Sequence, residues 1–288
     1  MRPIPTWRKL CYSALVLVLL ALLAEGALAL LPGRAVVSDL PGLTEARGSV
    51  LCLGDSVTAG VGLGKGQSWP ERLGRSLRKR RIEVARHAAP GARVAWAEEE
   101  GVPRVQQLPE GSIVLVMLGH NDQVQFEPGA GQRLRRRQFE DLGRSTSGWR
   151  GPRLLRLLRW ATRDERPALA GIEHLQAAFD RALDPLVEVT QARETQLWLL
   201  TYLIPGAAPS SLPSEEAAVI EDVRAGQAVV NAVIRAQAAR RGLGLIDLEA
   251  EVPVGAEWNT EQWLDHIHPS ATLTVEMAEA IEATLLPE

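Results

Sequence analysis

From residue 49 onward, short apolar runs alternate with longer stretches that have helical periodicity. The apolar runs predict five strands, at residues 50–53, 82–87, 113–118, 196–203 and 243–248. The stretches between and after them predict helices at residues 69–81, 94–107, 172–193, 217–241 and 270–285. Strands that alternate with helices pair in parallel, and their helices cover both faces of the sheet. We therefore expect a three-layer α/β/α fold around a five-stranded parallel sheet.

The N-terminal segment, residues 1–31, has a different pattern. Three basic residues, the last of them Lys9, precede an apolar stretch at residues 10–24, and small residues follow at positions 27–29. A basic start, an apolar centre and an A-x-A site are typical of a secretory signal peptide. The segment is also long enough to cross a bilayer as a single uncleaved membrane anchor. Both interpretations predict an exported, periplasmic or otherwise extracytoplasmic domain, either secreted or held by one transmembrane helix.

Composition limits the classes of partner and of fold. The net charge of -3 gives no reason to expect nucleic acid as a partner. The 2 cysteines are too few for a disulfide framework, and Cys52 lies inside an apolar run, where a buried thiol is expected. Residues 32–47, which are rich in Pro, Gly and polar residues, are expected to be a linker to one domain at residues 48–288.

An arginine-rich insertion at residues 123–167 interrupts the alternation of strands and helices. Within it, Arg153, Arg156 and Arg159 fall on one helical face and leucines on the other. One interpretation is that the insertion borders the ligand cleft and meets a membrane surface of anionic lipid or an acidic glycan. The other is a lid or packing helix with a solvated basic face.

Three polar or glycine-containing segments follow the first three predicted strands. They are Gly54-Asp55-Ser56, a segment containing Gly91, and Gly119-His120-Asn121-Asp122. Because the carboxyl ends of parallel strands share one edge, and ligands bind beyond that edge, these segments are expected to meet. Ser56 could lie in a simple turn or present its hydroxyl to a cleft.

A reactive serine needs a base, a group that orients the base, and donors for the oxyanion. Of the five histidines, one lies beside a carboxylate on a predicted loop: in WLDHIHPS, Asp265 stands three residues before His268. A loop of that length can fold the carboxylate back onto the imidazole. The pair His266 and His268 also raises the possibility of zinc, but no third ligand stands out. Asp55 and Asp122 are expected to bond nearby backbone N–H groups.

Together these segments resemble the SGNH hydrolases, also called GDSL esterases and lipases. Gly-Asp-Ser ending at Ser56, Gly-x-Asn-Asp around Asn121, and Asp-x-x-His-Pro from Asp265 to Pro269 match three of the family's blocks in order. The second block matches less closely, because Gly91 lacks the usual preceding asparagine. The resemblance covers the chain from about residue 49, apart from the arginine-rich insertion.

The resemblance implies a flavodoxin-like fold and a serine esterase that needs no cofactor or metal. It implies that Ser56 is the nucleophile, that His268 is its base, and that Asp265 orients His268. It further implies an oxyanion hole made by the backbone N–H groups of Ser56 and Gly91 and by the side chain of Asn121. The implied activity is of the esterase, lipase or carbohydrate deacetylase type, and the implied substrate is an ester-bearing small molecule, lipid or glycan. Two alternatives stay open: an acyltransferase on envelope glycans with the same site, and a catalytically silent envelope binding protein.

Overall fold

The computed structural model describes residues 36–38, 48–123 and 172–286, all of which belong to one compact unit. In that part of the chain, six strands form one sheet in the order β1-β3-β2-β4-β5-β6. The strands are β1 (Val37–Ser38), β2 (Ser49–Gly54), β3 (Glu83–Ala88), β4 (Ile113–Met117), β5 (Gln196–Leu200) and β6 (Gly244–Ile246).

The parallel sheet is confirmed for β2 to β6, which are the five predicted strands. The sixth strand is a correction to the predicted count. Val37 and Ser38, inside the predicted linker, pair antiparallel with Ala88 and His87 at the sheet edge. Two residues carry no periodic pattern, so nothing local in the sequence indicates this strand.

The described helices are α1 (Ser56–Ala59), α2 (Trp69–Leu77), α3 (Val102–Val105), α4 (His120–Gln123), α5 (Ile172–Ala192), α6 (Ser214–Arg241), α7 (Leu248–Glu251) and α8 (Ala271–Leu285). Four of the five predicted helices are found, as α2, α5, α6 and α8. The fifth, predicted at residues 94–107, is also found, as an unbroken helical stretch over residues 95–105 that contains a π-helical turn. The π-helical turn, Ala97–Gly101, runs directly into the short α3, and Pro103, which has no backbone N–H to donate, lies just after this turn.

Burial along β2 shows that both faces of the sheet are covered. All six residues of β2 are buried, and successive side chains of a strand point to opposite faces. Helix α2 packs against α8, and α5 packs against α6. Trp69, Leu73 and Leu77, spaced by four residues on α2, are all buried, as their spacing predicts.

The end of β5 comes earlier than predicted, and hydrogen bonding explains why. The sequence predicts a strand to residue 203, but β5 ends at Leu200. The backbone N–H of Tyr202 donates to Asn231 Oδ1, and the Tyr202 carbonyl accepts from Asn231 Nδ2. A side chain of α6 therefore takes the backbone bonds that would have continued the ladder.

The register of the sheet brings the predicted site segments to one edge. Gly54, the last residue of β2, lies opposite Ala88 of β3 and Met117 of β4. The segments that follow these three strands therefore leave the sheet side by side.

The predicted N-terminal signal or anchor at residues 1–31 lies outside the described residues, as do most of the linker and residues 124–167 of the arginine-rich insertion. Among the helices that are described, none is both long and apolar enough to cross a membrane.

Candidate active site

Ser56 begins helix α1 immediately after β2, and its side chain is largely buried. Asp55 is the N-cap of this helix, and its Oδ1 atom accepts a hydrogen bond from the Val57 N–H at 2.9 Å. A Cβ atom at Gly54 would overlap the Thr58 side chain and approach the Met117 carbonyl oxygen. The glycine therefore lets the first turn of α1 lie directly over the strand end, which fixes the position of Ser56.

Asp265 and His268 are in direct contact on the loop before α8. Asp265 Oδ2 lies 2.7 Å from His268 Nδ1. Asp265 Oδ1 accepts the backbone N–H groups of Ile267 and His268, both at 2.8 Å. Three hydrogen bonds thus hold the carboxylate to one side of the ring.

These contacts set the charge of Asp265. Burial by itself would raise the pKa of Asp265, but the bonds from the His268 ring, the His268 N–H and the Ile267 N–H outweigh it and hold that pKa well below its usual range. An ionised carboxylate accepts a proton-bearing Nδ1, which leaves Nε2 of His268 as the acceptor. Nε2 is buried and has no hydrogen-bond partner in the described part of the chain.

The structure does not join Ser56 to His268 by a hydrogen bond among the described residues. The imidazole nevertheless lies close enough to act electrostatically on Asp55, the neighbour of Ser56, where a positive charge on His268 lowers the pKa. The pair formed by Asp265 and His268 therefore lies near the residue that precedes Ser56.

Gly91 and Asn121 are held together at the ends of β3 and β4. Gly91 has a φ of 71°, a conformation that glycine adopts without strain. Asn121 Nδ2 donates to the carbonyl of Ala92, next to Gly91, at 2.9 Å. It also donates to Asp55 Oδ2, next to Ser56, at 3.3 Å. Asn121 thus links the three segments that carry the predicted oxyanion donors.

The hydrogen bonds that Asn121 already makes limit how it could act as the predicted oxyanion donor. A side-chain amide nitrogen carries two hydrogens, and Asn121 Nδ2 has two protein acceptors, one at 2.9 Å and one at 3.3 Å. The longer bond, to Asp55, is the weaker of the two. To donate to an oxyanion, Asn121 would therefore have to break its weaker hydrogen bond, the one to Asp55.

Tyr202 is a site residue that the sequence analysis missed. Its hydroxyl donates to Asp55 Oδ2 at 2.8 Å and accepts the His120 N–H at 3.5 Å. The sequence placed Tyr202 inside the fourth predicted strand, residues 196–203, whereas β5 ends at Leu200, so Tyr202 lies beyond the carboxyl end of the strand. The sequence around Tyr202 shows no motif of the family and no local sign that the strand ends before it.

Burial controls the ionisation of both aspartates near the serine. Burial raises the pKa of Asp55 to about 6, and the bonds from Tyr202 and the Val57 N–H limit the rise. Burial likewise raises the pKa of Asp122 to about 6, and its Oδ2 accepts the Val94 N–H at 2.9 Å. Both aspartates make the backbone hydrogen bonds that the sequence predicts.

His266 lies apart from the pair formed by Asp265 and His268. Its ring packs at a tilt against Trp258, with centroids 5.9 Å apart. Within the described ranges, no cluster of three or more His, Cys, Asp or Glu residues could hold a metal ion.

Comparisons with known proteins agree with the fold. The sequence profile of the GDSL-like lipase/acylhydrolase family matches residues 52–272. A search of curated proteins finds no significant match. Among solved structures, Est24, a carbohydrate acetylesterase from Sinorhizobium meliloti, is 13% identical with a TM-score of 0.50 over 82% of this chain and 97% of its own. A protein assigned to the G-D-S-L lipolytic family from Desulfitobacterium hafniense is also 13% identical with a TM-score of 0.50, over 82% and 98%. At this identity the two structures show a shared fold.

Proposed function

The chain belongs to the GDSL-like lipase/acylhydrolase family of ester hydrolases, and we propose that it is an exported enzyme that cleaves carboxylic esters through an acyl-enzyme on Ser56. The observation that carries the proposal is the contact of Asp265 with His268 Nδ1, together with the unpartnered Nε2 on the other side of that ring. This is the arrangement that a histidine base requires.

In the first step, Ser56 Oγ attacks the ester carbonyl carbon and His268 Nε2 takes the hydroxyl proton. The imidazolium that forms is stabilised by the ionised Asp265. As the C–O bond to the alcohol breaks, His268 returns the proton to the leaving oxygen. The acyl group stays on Ser56.

The negative charge on the carbonyl oxygen forms beside the ends of β2, β3 and β4. The backbone N–H groups of Ser56 and Gly91 and one N–H of Asn121 donate to it. Donors fixed before the reaction stabilise such a charge better than water does, because they need not reorient.

In the second step, water attacks the acyl-enzyme with His268 as the base and releases the acid. An acyltransferase would use the same residues and differ only in the acceptor, a glycan hydroxyl in place of water. No described contact of Ser56, Asp265 or His268 favours one acceptor. We propose hydrolysis because the chain belongs to a family of ester hydrolases.

The proposed substrate is a lipid or glycan ester at the cell envelope. The basic and apolar pattern at residues 1–24 supports export. The arginine-rich insertion supports contact with an anionic lipid surface or an acidic glycan. The likeness to Est24 supports the inclusion of acetylated carbohydrates, the substrates of the predicted deacetylase type, among those to be tested.

The test is the hydrolysis of p-nitrophenyl esters of increasing chain length by the parent protein and by Ser56→Ala. Turnover by the parent and its loss in the variant, with both proteins folded, support the proposal. Equal turnover by the two proteins would exclude Ser56 as the nucleophile. Product analysis with and without a sugar acceptor separates hydrolysis from acyl transfer.

A further inference from the structure

The Tyr202 hydroxyl lies between the segments that carry the nucleophile and the asparagine. It donates to Asp55 Oδ2 at 2.8 Å and accepts the His120 N–H at 3.5 Å. The side chain is 1% exposed, so water does not compete for these bonds. Tyr202 thus connects the residue before Ser56 to the residue before Asn121.

The Tyr202 backbone is fixed independently of its hydroxyl. Asn231, on α6, bonds both the N–H and the carbonyl of Tyr202, each at 2.8 Å. Asn231 in turn donates to Glu249, which accepts from Arg235. Loss of the hydroxyl alone therefore leaves the ring in place.

Asp55 Oδ2 receives two side-chain donors of unequal strength. The Tyr202 O–H is 2.8 Å away and the Asn121 N–H is 3.3 Å away. An oxyanion must recruit that Asn121 hydrogen, because the other hydrogen is held by the Ala92 carbonyl at 2.9 Å. The shorter bond from Tyr202 satisfies Oδ2 and leaves the Asn121 hydrogen loosely held.

We propose that Tyr202 is a positioning residue for catalysis: by donating to Asp55 Oδ2, it keeps the Asn121 side-chain N–H available to the oxyanion. This inference rests on the proposed function, in which Asn121 is an oxyanion donor. The carboxylate also fixes which end of the Asn121 amide faces it, since an ionised Asp55 can only accept.

The charged surroundings of Asp55 fit this role. His268, from the loop before α8, favours the ionised carboxylate, and Asp122, from α4, opposes it. The bond from Tyr202 lowers the pKa of Asp55 against the effect of burial. Without the hydroxyl, Asp55 would hold a proton at higher pH and would draw on Asn121 as its remaining side-chain donor.

The test is a double-mutant cycle on kcat and KM for p-nitrophenyl acetate, with Tyr202→Phe, Asn121→Ala and the double variant. Asn121→Ala should lower kcat by about 100-fold, as loss of one oxyanion donor does. Tyr202→Phe should lower kcat by about 10-fold with KM almost unchanged, a partial loss of the same donor. In the Asn121→Ala background, Tyr202→Phe should have no further effect on kcat. Thr190→Val, which removes a buried hydroxyl bonded only within α5, is the matched control and should keep the parent kcat.

Two results overturn the inference. One is a parent-like kcat in Tyr202→Phe. The other is a loss of kcat from Tyr202→Phe that is equally large in the parent and in the Asn121→Ala background. If Tyr202→Phe does not fold by thermal melting, Asp55→Asn takes its place, and its kcat loss must likewise vanish in the Asn121→Ala background. A parent-like kcat in Asn121→Ala, with Ser56→Ala inactive, overturns the inference and leaves the serine hydrolase proposal intact. A parent that forms no adduct with a fluorophosphonate overturns both.

Discussion

The carboxylate of Asp265 holds His268 by both the ring and the backbone. Its Oδ2 atom lies 2.7 Å from Nδ1, and its Oδ1 atom accepts the His268 N–H at 2.8 Å. The double attachment fixes the ring orientation and favours the tautomer in which Nε2 is the acceptor. In the proposed mechanism, Nε2 is then the atom that takes the proton of Ser56.

Asp265→Asn should lower kcat by about 1,000-fold or more, because an amide can donate to Nδ1 and so favour the wrong tautomer of His268. KM for a small ester should change little. Steady-state kinetics with p-nitrophenyl acetate would measure both constants. Glu261→Gln, an exposed acid on the same loop, is the matched control and should behave as the parent. Parent-like turnover in Asp265→Asn would contradict the assigned role.

Gly54→Ala should destabilise the fold and reduce activity together, because the new methyl group would overlap Thr58 and approach the Met117 carbonyl. We expect a loss of about 1–3 kcal/mol in the free energy of unfolding, which is typical of overpacking. Urea denaturation and ester turnover measure the two effects. Gly48→Ala, at the other end of β2, is the control, since its methyl group would find its nearest neighbour at 3.9 Å. Equal effects of the two substitutions would contradict the proposed close packing over the strand end.

Asp55 should make stability fall as pH rises. Because burial raises the pKa of Asp55 to about 6, the folded state binds more protons than the unfolded state between the ordinary aspartate pKa and that value. The free energy of unfolding of Asp55→Asn, relative to that of the parent, should therefore increase by up to about 3 kcal/mol from pH 4 to pH 7. Denaturation series at several pH values would measure it. Asp222→Asn, at an exposed position of α6, is the control, and a pH-independent difference for Asp55→Asn would contradict the prediction.

Charge reversal of Arg153, Arg156 and Arg159 to glutamate should reduce hydrolysis of esters in anionic vesicles and spare a small soluble ester. The reason is electrostatic attraction to the anionic surface, worth about 1 kcal/mol for each basic residue near it. Reversal of the exposed basic run Arg78–Arg80 is the matched control. Equal loss on both substrates would instead favour a lid or packing role for the insertion.

The periodicity of the sequence predicted the five parallel strands and the five longer helical stretches, since each depends on a local pattern of apolar residues. The two-residue strand β1 depends on its pairing with β3 and has no local signal. The early end of β5 depends on Asn231, which is distant in sequence. Contacts of this kind are decided by tertiary packing, and a sequence pattern does not contain them.

In the candidate site, too, a contact between residues close in sequence could be anticipated, and a contact between distant residues could not. The contact of Asp265 with His268 spans three residues of one loop, so their spacing allowed it and the resemblance to the family implied it. Tyr202 meets Asp55 across 147 residues of sequence, and only the fold brings them together. The roles of Ser56, Gly91, Asn121, Asp265 and His268 in catalysis stay predictions.

The most direct test of the central claim is fluorophosphonate labelling of the protein, followed by mass spectrometry of the peptide that contains Ser56. The account predicts a single adduct on Ser56 that is absent in Ser56→Ala and strongly slowed in His268→Ala. A folded parent that remains unlabelled, or an adduct on a different residue, would contradict it.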